Sequence, residues 1–351
     1  MNRREFHQLA VAWAAGAARH YGKDSERPNI LWINAEDMGP QLGCYGYPLV
    51  RTPNLDRLAA EGVRFNRAFT TAPVCSPSRS AFNTGMYQTS IGAHDHRSHR
   101  QDGYTVPAGV KLITEHFSAH GCFTANVREI APGVRGTGKT DFNFHVTQPY
   151  DGIHWNRRRR GQPFFAHINF QAPHKGPAFV EARRQKELVD PAKVPLPPYY
   201  PDHPVVRDEM ANFLDAINLL DGQVGVALRL LEEEGLAGNT AVIFFGDNGR
   251  CLIRGKQWLY DAGLHIPLIV RWPGGARHGW KPGAVVDDLV SAIDITATTL
   301  QIAGIPVPRQ MQGRPLFGPG ARPRDFIFAA RDRCDMTVDK IRCVRDRRYK
   351  Y

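Results

Sequence analysis

Four apolar bursts stand out along the chain: Asn29–Asn34 (NILWIN), Phe164–Phe170 (FFAHINF), Thr240–Phe245 (TAVIFF) and Ile266–Arg271 (IPLIVR). Each is short and bounded by polar or turn-forming residues, which predicts strands buried on both faces. Elsewhere the pattern changes to a three-four spacing. Over Val205–Glu234 the residues Met210, Phe213, Leu214, Ile217 and Leu220 form one stripe, the strongest helical periodicity in the chain, and Gly235 and Gly238 stop it. Thr52-Pro53 opens a second helix, with Thr as its cap and Pro at the first helical position; Leu55, Leu58 and Ala59 give it an apolar face and Gly62 closes it. Val74-Cys75-Ser76-Pro77 leads into a third, which Gly85 ends. Strands alternating with helices predict an α/β fold: a large, mostly parallel (mixed) sheet sandwiched by helices. From about residue 324 the pattern differs. Phe326–Ala329 and Ile341–Tyr351 read as strands with no long helix between them, a small antiparallel sheet, and the chain stops inside the last strand pattern as if that subdomain were incomplete. The Pro-rich segments 191–204 and 304–323 read as surface connections.

Composition narrows the class. A chain of 351 residues holds about two domains, or one large domain with an appendage. Its 42% hydrophobic and 23% charged residues exclude a disordered tail, a collagen and a coiled coil. The cysteines at 44, 75, 122, 251, 334 and 343 form no CxxC pair, which argues against a structural zinc site, and they are too sparse for a disulfide scaffold. The net charge of +11 favours acidic partners such as nucleic acid, an anionic membrane, or sulfated or phosphorylated substrates. No nucleic-acid-binding motif is present, and the basic run Arg157–Arg160 reads as a solvated loop. At the start, Arg3-Arg4 and Phe6 precede an Ala-rich apolar run from Leu9 to Ala18, with small residues at Ala15-Gly16-Ala17. That is the pattern of a twin-arginine export signal over residues 1–27, and it is far too short to cross a bilayer. No later segment is apolar enough to span a membrane.

The chemistry gathers at strand ends, where open α/β sheets place their sites. Three of the bursts lead into Glu36-Asp37, His174 and Asp247-Asn248. Three carboxylates and an amide oxygen are hard donors, suited to Ca2+ or Mg2+ rather than to zinc. Cys75 stands at a helix N-terminus, where exposed amides and the helix dipole favour an anion, and Arg79 one turn on adds a forked donor for sulfate or phosphate. A cysteine so placed is a nucleophile candidate.

These residues carry a resemblance. Cys75-Ser76-Pro77-Ser78-Arg79, continuing to Ala81-Phe82-Asn83-Thr84-Gly85, resembles the signature of the type I sulfatases of the alkaline phosphatase superfamily, the sequence that directs conversion of the Cys to formylglycine. PNILWINAEDMG (28–39), TPNLDRLAAEGVRF (52–65), Gly138-Lys139, APH (172–174), FFGDNG (244–249) and GKQWLYDAG (255–263) follow in the family's order. GTGKTDFNF and the Glu-Asp pair are most similar to the bacterial heparan N-sulfatase (sulfamidase-like) branch. The resemblance implies an alkaline-phosphatase-like catalytic domain over 28–323, a small C-terminal subdomain from 324 to 351, and a hydrolase acting on a sulfate ester or sulfamate of a sulfated sugar.

It also implies roles. Cys75 would be oxidised to an aldehyde by a formylglycine-generating enzyme and hydrated to the diol that attacks sulfur. Glu36, Asp37, Asp247 and Asn248 would hold the cation, Ca2+ or Mg2+. Arg79 would hold the diol and help bind the ion, Lys139 and Lys256 would neutralise the transferring group, and His174 would protonate the leaving atom. Some positions depart from the family pattern. Glu36 stands where Asp is usual, and Gly138-Lys139-Thr140-Asp141 lacks the expected His, leaving the role of Asp141 open. The stretch His94-Asp95-His96-Arg97 either lines the substrate pocket or is a polar surface loop. Competing readings are a phosphonate or phosphate monoester hydrolase of the same superfamily and a non-catalytic, basic polyanion-binding protein. The two-zinc phosphatases are disfavoured, because they carry Asp-His where this chain has Asp247-Asn248.

Overall fold

A computed structural model describes residues 27–96, 103–318, 321–334 and 336–351. Residues 1–26 of the proposed export signal and Arg97 lie outside those residues. Seven strands make the main sheet: β1 (Asn29–Ala35), β2 (Val63–Phe65), β3 (Phe123–Val127), β4 (Phe164–Phe170), β5 (Thr240–Gly246), β6 (Leu268–Arg271) and β7 (Ala284–Val286). Their spatial order is β3-β4-β1-β5-β6-β2-β7, and β6 alone runs antiparallel to its neighbours.

Strand β1 is central and buried along its whole length, which is why its sequence is a continuous apolar run. The alternation of its side chains still sorts the two layers. Leu31, Ile33 and Ala35 pack with Phe213, Leu214 and Ile217 of the long helix α4 (Pro204–Glu233). Ile30 and Trp32 point into the opposite layer, with Phe82 of α2 (Cys75–Thr84), Phe117 of α3 (Ile113–Ala119), and Ile295 and Leu300 of α5 (Ile293–Ile302). Burying each such side chain contributes about 1.5–3 kcal/mol. Trp32 also donates its indole N–H to Thr299 Oγ1 at 3.0 Å, so the helix layer is pinned to the sheet as well as packed on it.

Three local expectations need correction. The burst at 266–271 is two strands, because Pro267 has no N–H for the ladder. His265–Ile266 joins a separate three-stranded sheet with Ala68–Phe69 and Val290–Ser291, and β6 begins only at Leu268. Helix α1 (Pro53–Glu61) is not capped by Thr52, whose hydroxyl accepts from Gly43 N–H at 2.9 Å and meets Asp56 Oδ1 at 3.1 Å. Its first amides go to Asp221 in the middle of α4: Asn54 N–H to Oδ2 at 3.2 Å and Leu55 N–H to Oδ1 at 2.8 Å. The C-terminal strands are Ile327–Cys334 and Thr337–Arg345, a two-stranded antiparallel hairpin whose second strand starts and stops earlier than its sequence pattern indicated.

The hairpin is fastened to the front of the main domain. Ala330 N–H donates to Thr71 O at 2.9 Å, and His96 N–H donates to Arg333 O at 2.8 Å. All six cysteines are free thiols. No helix among the described residues is long and apolar enough to cross a membrane.

Candidate active site

Adjacent parallel strands bring their carboxyl ends to one place. Glu36 N–H donates to Phe170 O at 3.1 Å and Asp247 N–H to Ala35 O at 3.1 Å, so the ends of β4, β1 and β5 stay zipped one residue past the strands. The chain then turns sharply. Asp37 takes a left-handed backbone (φ 57°), a conformation that stores strain and recurs at functional sites. Its N–H donates to Asp247 Oδ1 at 2.9 Å, and its Oδ1 accepts from Asn248 Nδ2 at 2.9 Å.

Against this turn stands the N-terminus of α2. Cys75 is the first helical residue and is fully buried, with Sγ 3.7 Å from Asp37 Oδ1. Burial, then the Asp247 and Asp37 carboxylates, push the thiol well above the ordinary cysteine range. As a plain thiol Cys75 is therefore not an activated nucleophile, despite the helix dipole. Burial also raises Asp247, with the Asp37 carboxylate adding to it.

The two lysines and the histidine converge on the same carboxylates. Lys256 Nζ lies 2.9 Å from Asp37 Oδ2 and 3.1 Å from His174 Nε2, and His174 Nε2 is itself 3.5 Å from Asp37 Oδ2. Burial works against the charge on Lys256, but the Asp37 carboxylate outweighs it and keeps the ammonium firmly protonated. Lys139 Nζ bridges Glu36 Oε2 at 3.0 Å and Asp141 Oδ2 at 3.5 Å. Asp141 thus belongs to the rim of the cluster. Lys256 is placed by a loop that packs backbone on backbone: a Cβ on Gly249 would fall 2.1 Å from Ala262 O, and one on Gly263 would fall 2.3 Å from Gly255 O.

Arg79 sits differently from the sequence reading. It is fully buried and its fork is taken up inside the protein. Nη1 donates to Asn34 Oδ1 at 2.8 Å and Asn169 Oδ1 at 2.6 Å, Nε to Thr140 O at 3.1 Å and Nη2 to Lys139 O at 2.8 Å, with Asp247 Oδ2 at 3.7 Å from Nη1. It ties α2 to β1, β4 and the Lys139 loop. Asn34 and Asn169, which sequence reading absorbed into apolar bursts, are register partners on adjacent strands. Asn169 also donates to Glu36 Oε1 and to Thr137 Oγ1, both at 2.6 Å. An amide in the same register of two buried strands was the available signal.

His96 is buried, with Nδ1 3.1 Å from the hydroxyl of Ser76, next to Cys75. His94 is half-buried, and its Nδ1 has no hydrogen-bond partner.

Asp247 Oδ2 and Asn248 Oδ1 are buried without a hydrogen-bond partner. Such oxygens are costly unless something else satisfies them, and hard oxygens facing one place fit Ca2+ or Mg2+. Among the described residues no three His, Cys, Asp or Glu side chains gather into a ready-made ion cage. The two lysines stand in for the positive charge, and both Glu36 oxygens are engaged, by Lys139 and Asn169. The oxygens open to an ion are thus those of Asp247 and Asn248; beside them Asp37 is held by Asn248 and Lys256, as Glu36 is by Lys139 and Asn169.

Comparison with known proteins gives one answer. The sulfatase family model matches residues 28–121 and 144–305. An ulvan-active sulfatase of Formosa agariphila is 34% identical over 93% of this chain and 60% of its own length. The human N-sulphoglucosamine sulphohydrolase is 27% identical over 80% of this chain and 61% of its own length. The chain thus spans about three fifths of the length of these relatives. Among solved structures, a 2-O glycosaminoglycan sulfatase superposes with a TM-score of 0.72 at 20% identity, covering 93% of this chain and 82% of that one. A phosphonate monoester hydrolase of Agrobacterium radiobacter superposes with 0.71 at 21% identity, covering 93% and 87%. At such identities the likeness establishes the fold, an α/β architecture common to both enzymes.

Proposed function

The chain belongs to the sulfatase family, and from that premise we propose that it hydrolyses a sulfate ester or sulfamate of a sulfated sugar. Water is the second reactant; sulfate and the sugar alcohol or amine are the products. The observation that carries the reading is the position of Cys75. It is the first residue of α2, 3.7 Å from Asp37, whose other oxygen holds Lys256 and faces His174.

Each side chain then has a task its position supports. Lys256, held on Asp37, and Lys139, held on Glu36, would bind the anionic oxygens and offset the charge that gathers there during transfer. His174, in reach of Lys256 and Asp37, would hold the proton given to the leaving oxygen or nitrogen. Arg79 would act from behind, fixing Asn34, Asn169, Asp247 and the Lys139 loop. Residue 75, after oxidation by a formylglycine-generating enzyme, would supply a hydrated aldehyde as nucleophile, and a Ca2+ or Mg2+ ion on Asp37, Asp247, Asn248 and Glu36 would supply positive charge to a sulfate oxygen. We assign these tasks to residues 28–323, with the hairpin of 324–351 as a docked wall. The Arg3-Arg4 leader would route the chain out of the cytoplasm.

The competing reading is phosphonate or phosphate monoester hydrolysis, since a phosphonate monoester hydrolase has the same fold. Purified protein from a host with the modifying enzyme should release sulfate from an aryl sulfate and from sulfated sugars at a kcat/KM about a hundredfold above that for an aryl phosphonate. Preferential phosphonate turnover would replace the reading. No turnover of either by protein fully modified at residue 75 would leave the polyanion-binding reading.

A further inference from the structure

The reacting cluster reaches the surface at its edges. Asp37, Cys75, Arg79 and Asp247 are fully buried, whereas Lys256 keeps 19%, His174 29% and Lys139 18% of its side-chain surface. One opening is therefore at Lys256 and His174.

The chain on either side of Lys256 is strained and clamped. Arg254 and Gln257 both take left-handed backbones, φ 58° and 74°. For residues other than glycine this is a costly conformation that persists only where the surroundings impose it. Lys256 N–H donates to Arg250 O at 2.8 Å, and Gln257 N–H donates to Pro73 O at 2.7 Å, on the segment that runs into Cys75. The loop is thus registered against the nucleophile position.

Besides Lys256, this clamp presents aromatic rings to solvent. Trp258 is 41% exposed, Tyr260 46%, and Tyr199, on a separate segment, 43%. Arg254 joins them: its guanidinium lies 5.0 Å from the Tyr199 ring centre and 4.5 Å from that of Tyr260. The Trp258 and Tyr260 centroids are 6.4 Å apart with planes tilted by 30°. Trp258 is backed by the buried Arg331 of the C-terminal hairpin, 4.6 Å from its ring. These rings fill no core. Exposed aromatic patches of this kind mark binding surfaces, and here the rings are held in place by cations before any ligand arrives.

We propose that Tyr199, Arg254, Trp258 and Tyr260 form a subsite for the sugar next to the sulfated one in an anionic oligosaccharide. The flat, C–H-rich face of a pyranose would lie on the rings, and its carboxylate or second sulfate would meet the fork of Arg254. Only Gln257 lies between Lys256 and Trp258, so their Cα atoms are at most about 7 Å apart. That separation suits a ring joined to the reacting sugar rather than a second, independent ligand. The inference rests on the sulfated-sugar reading above, and it specifies the substrate as a chain rather than a single ring.

The test is calorimetric binding to the full chain, which needs no turnover. The probes are an ulvan-derived tetrasaccharide, a heparin hexasaccharide and, as a one-ring reference, glucosamine 2-N,6-O-disulfate. At least one oligosaccharide should bind about tenfold or more tighter than the reference, and Trp258→Ala and Arg254→Gln should each remove most of that advantage. Trp258→Tyr, which keeps a ring, should retain most of it and serves as the folding control. Equal affinity for oligosaccharides and reference in the wild type overturns the subsite, as does an equal loss for both ligands in Trp258→Ala. An advantage that Trp258→Ala abolishes, in protein modified at residue 75 that never releases sulfate, supports the subsite and sinks the sulfatase reading instead. Binding of neither kind of ligand overturns both.

Discussion

Arg79→Lys separates an organising arginine from one that grips the anion. The substitution keeps the charge opposite Asp247 and removes the fork. An ammonium at that depth can serve Asn34 and Asn169 on the sheet side or the carbonyls of Thr140 and Lys139 on the loop side, since it is a point charge rather than a planar fork. One pair of acceptors is left buried and unpaired. Hydrogen bonds to a charged group contribute about 1.5–3 kcal/mol each, and bonds that share one group do not add fully. The expected loss is about 3 kcal/mol. With roughly 2.1 cal/mol/K of unfolding entropy per residue, that lowers Tm of a chain this size by about 4 °C. Because the Lys139 loop and Asp247 lose their common anchor, kcat/KM on an aryl sulfate should fall about a hundredfold, equivalent to about 2.7 kcal/mol at the transition state. Differential scanning calorimetry and initial rates on the same preparation check both numbers. A Tm within about 1 °C of wild type together with a rate within twofold would refute the role given to Arg79.

Other perturbations probe separate parts of the account. Asp221→Ala removes the cap that α4 lends to α1 and should lower stability by about 1–2 kcal/mol, read as a shifted urea midpoint with an unchanged slope. Lys256→Met leaves Asp37 without its closest cation and should lower kcat/KM by about 10²–10³, and Lys139→Met should have a smaller effect because its side chain divides between Glu36 and Asp141. Ca2+ or Mg2+ at a hundred times its dissociation constant should raise stability by about 2.7 kcal/mol in thermal unfolding, and Asn248→Ala should abolish most of that gain.

Much of this was legible in the sequence, for a physical reason. Strands buried on both faces must be continuously apolar, so β1, β4 and β5 announce themselves, and the polar residues just past their ends mark the site. The short strands at 63–65, 68–69, 284–286 and 290–291 leave no such trace, since two or three residues carry no periodicity. The second strand of the hairpin was misplaced because its first residues, Thr337 to Lys340, are largely exposed and polar. Asp221 is 166 residues from the amide it caps on Leu55, a distance that no local cap rule can see; Thr52, the nearer candidate, is occupied elsewhere. Arg79 is a forked donor in any sequence reading, but its inward acceptors, Asn34 and Asn169, are hidden inside apolar runs. Cys75 was placed correctly at a helix start, but its burial beside two carboxylates, which keeps the thiol neutral, is a property of the assembled site.

The central claim is that residue 75 acts as a formylglycine. Mass spectrometry of the tryptic peptide Ala68–Arg79, on a preparation whose sulfate release is measured in parallel, tests it most directly. The account predicts an aldehyde at position 75 in every active preparation, with activity proportional to the modified fraction. Full sulfate release by protein in which Cys75 remains a thiol would contradict it.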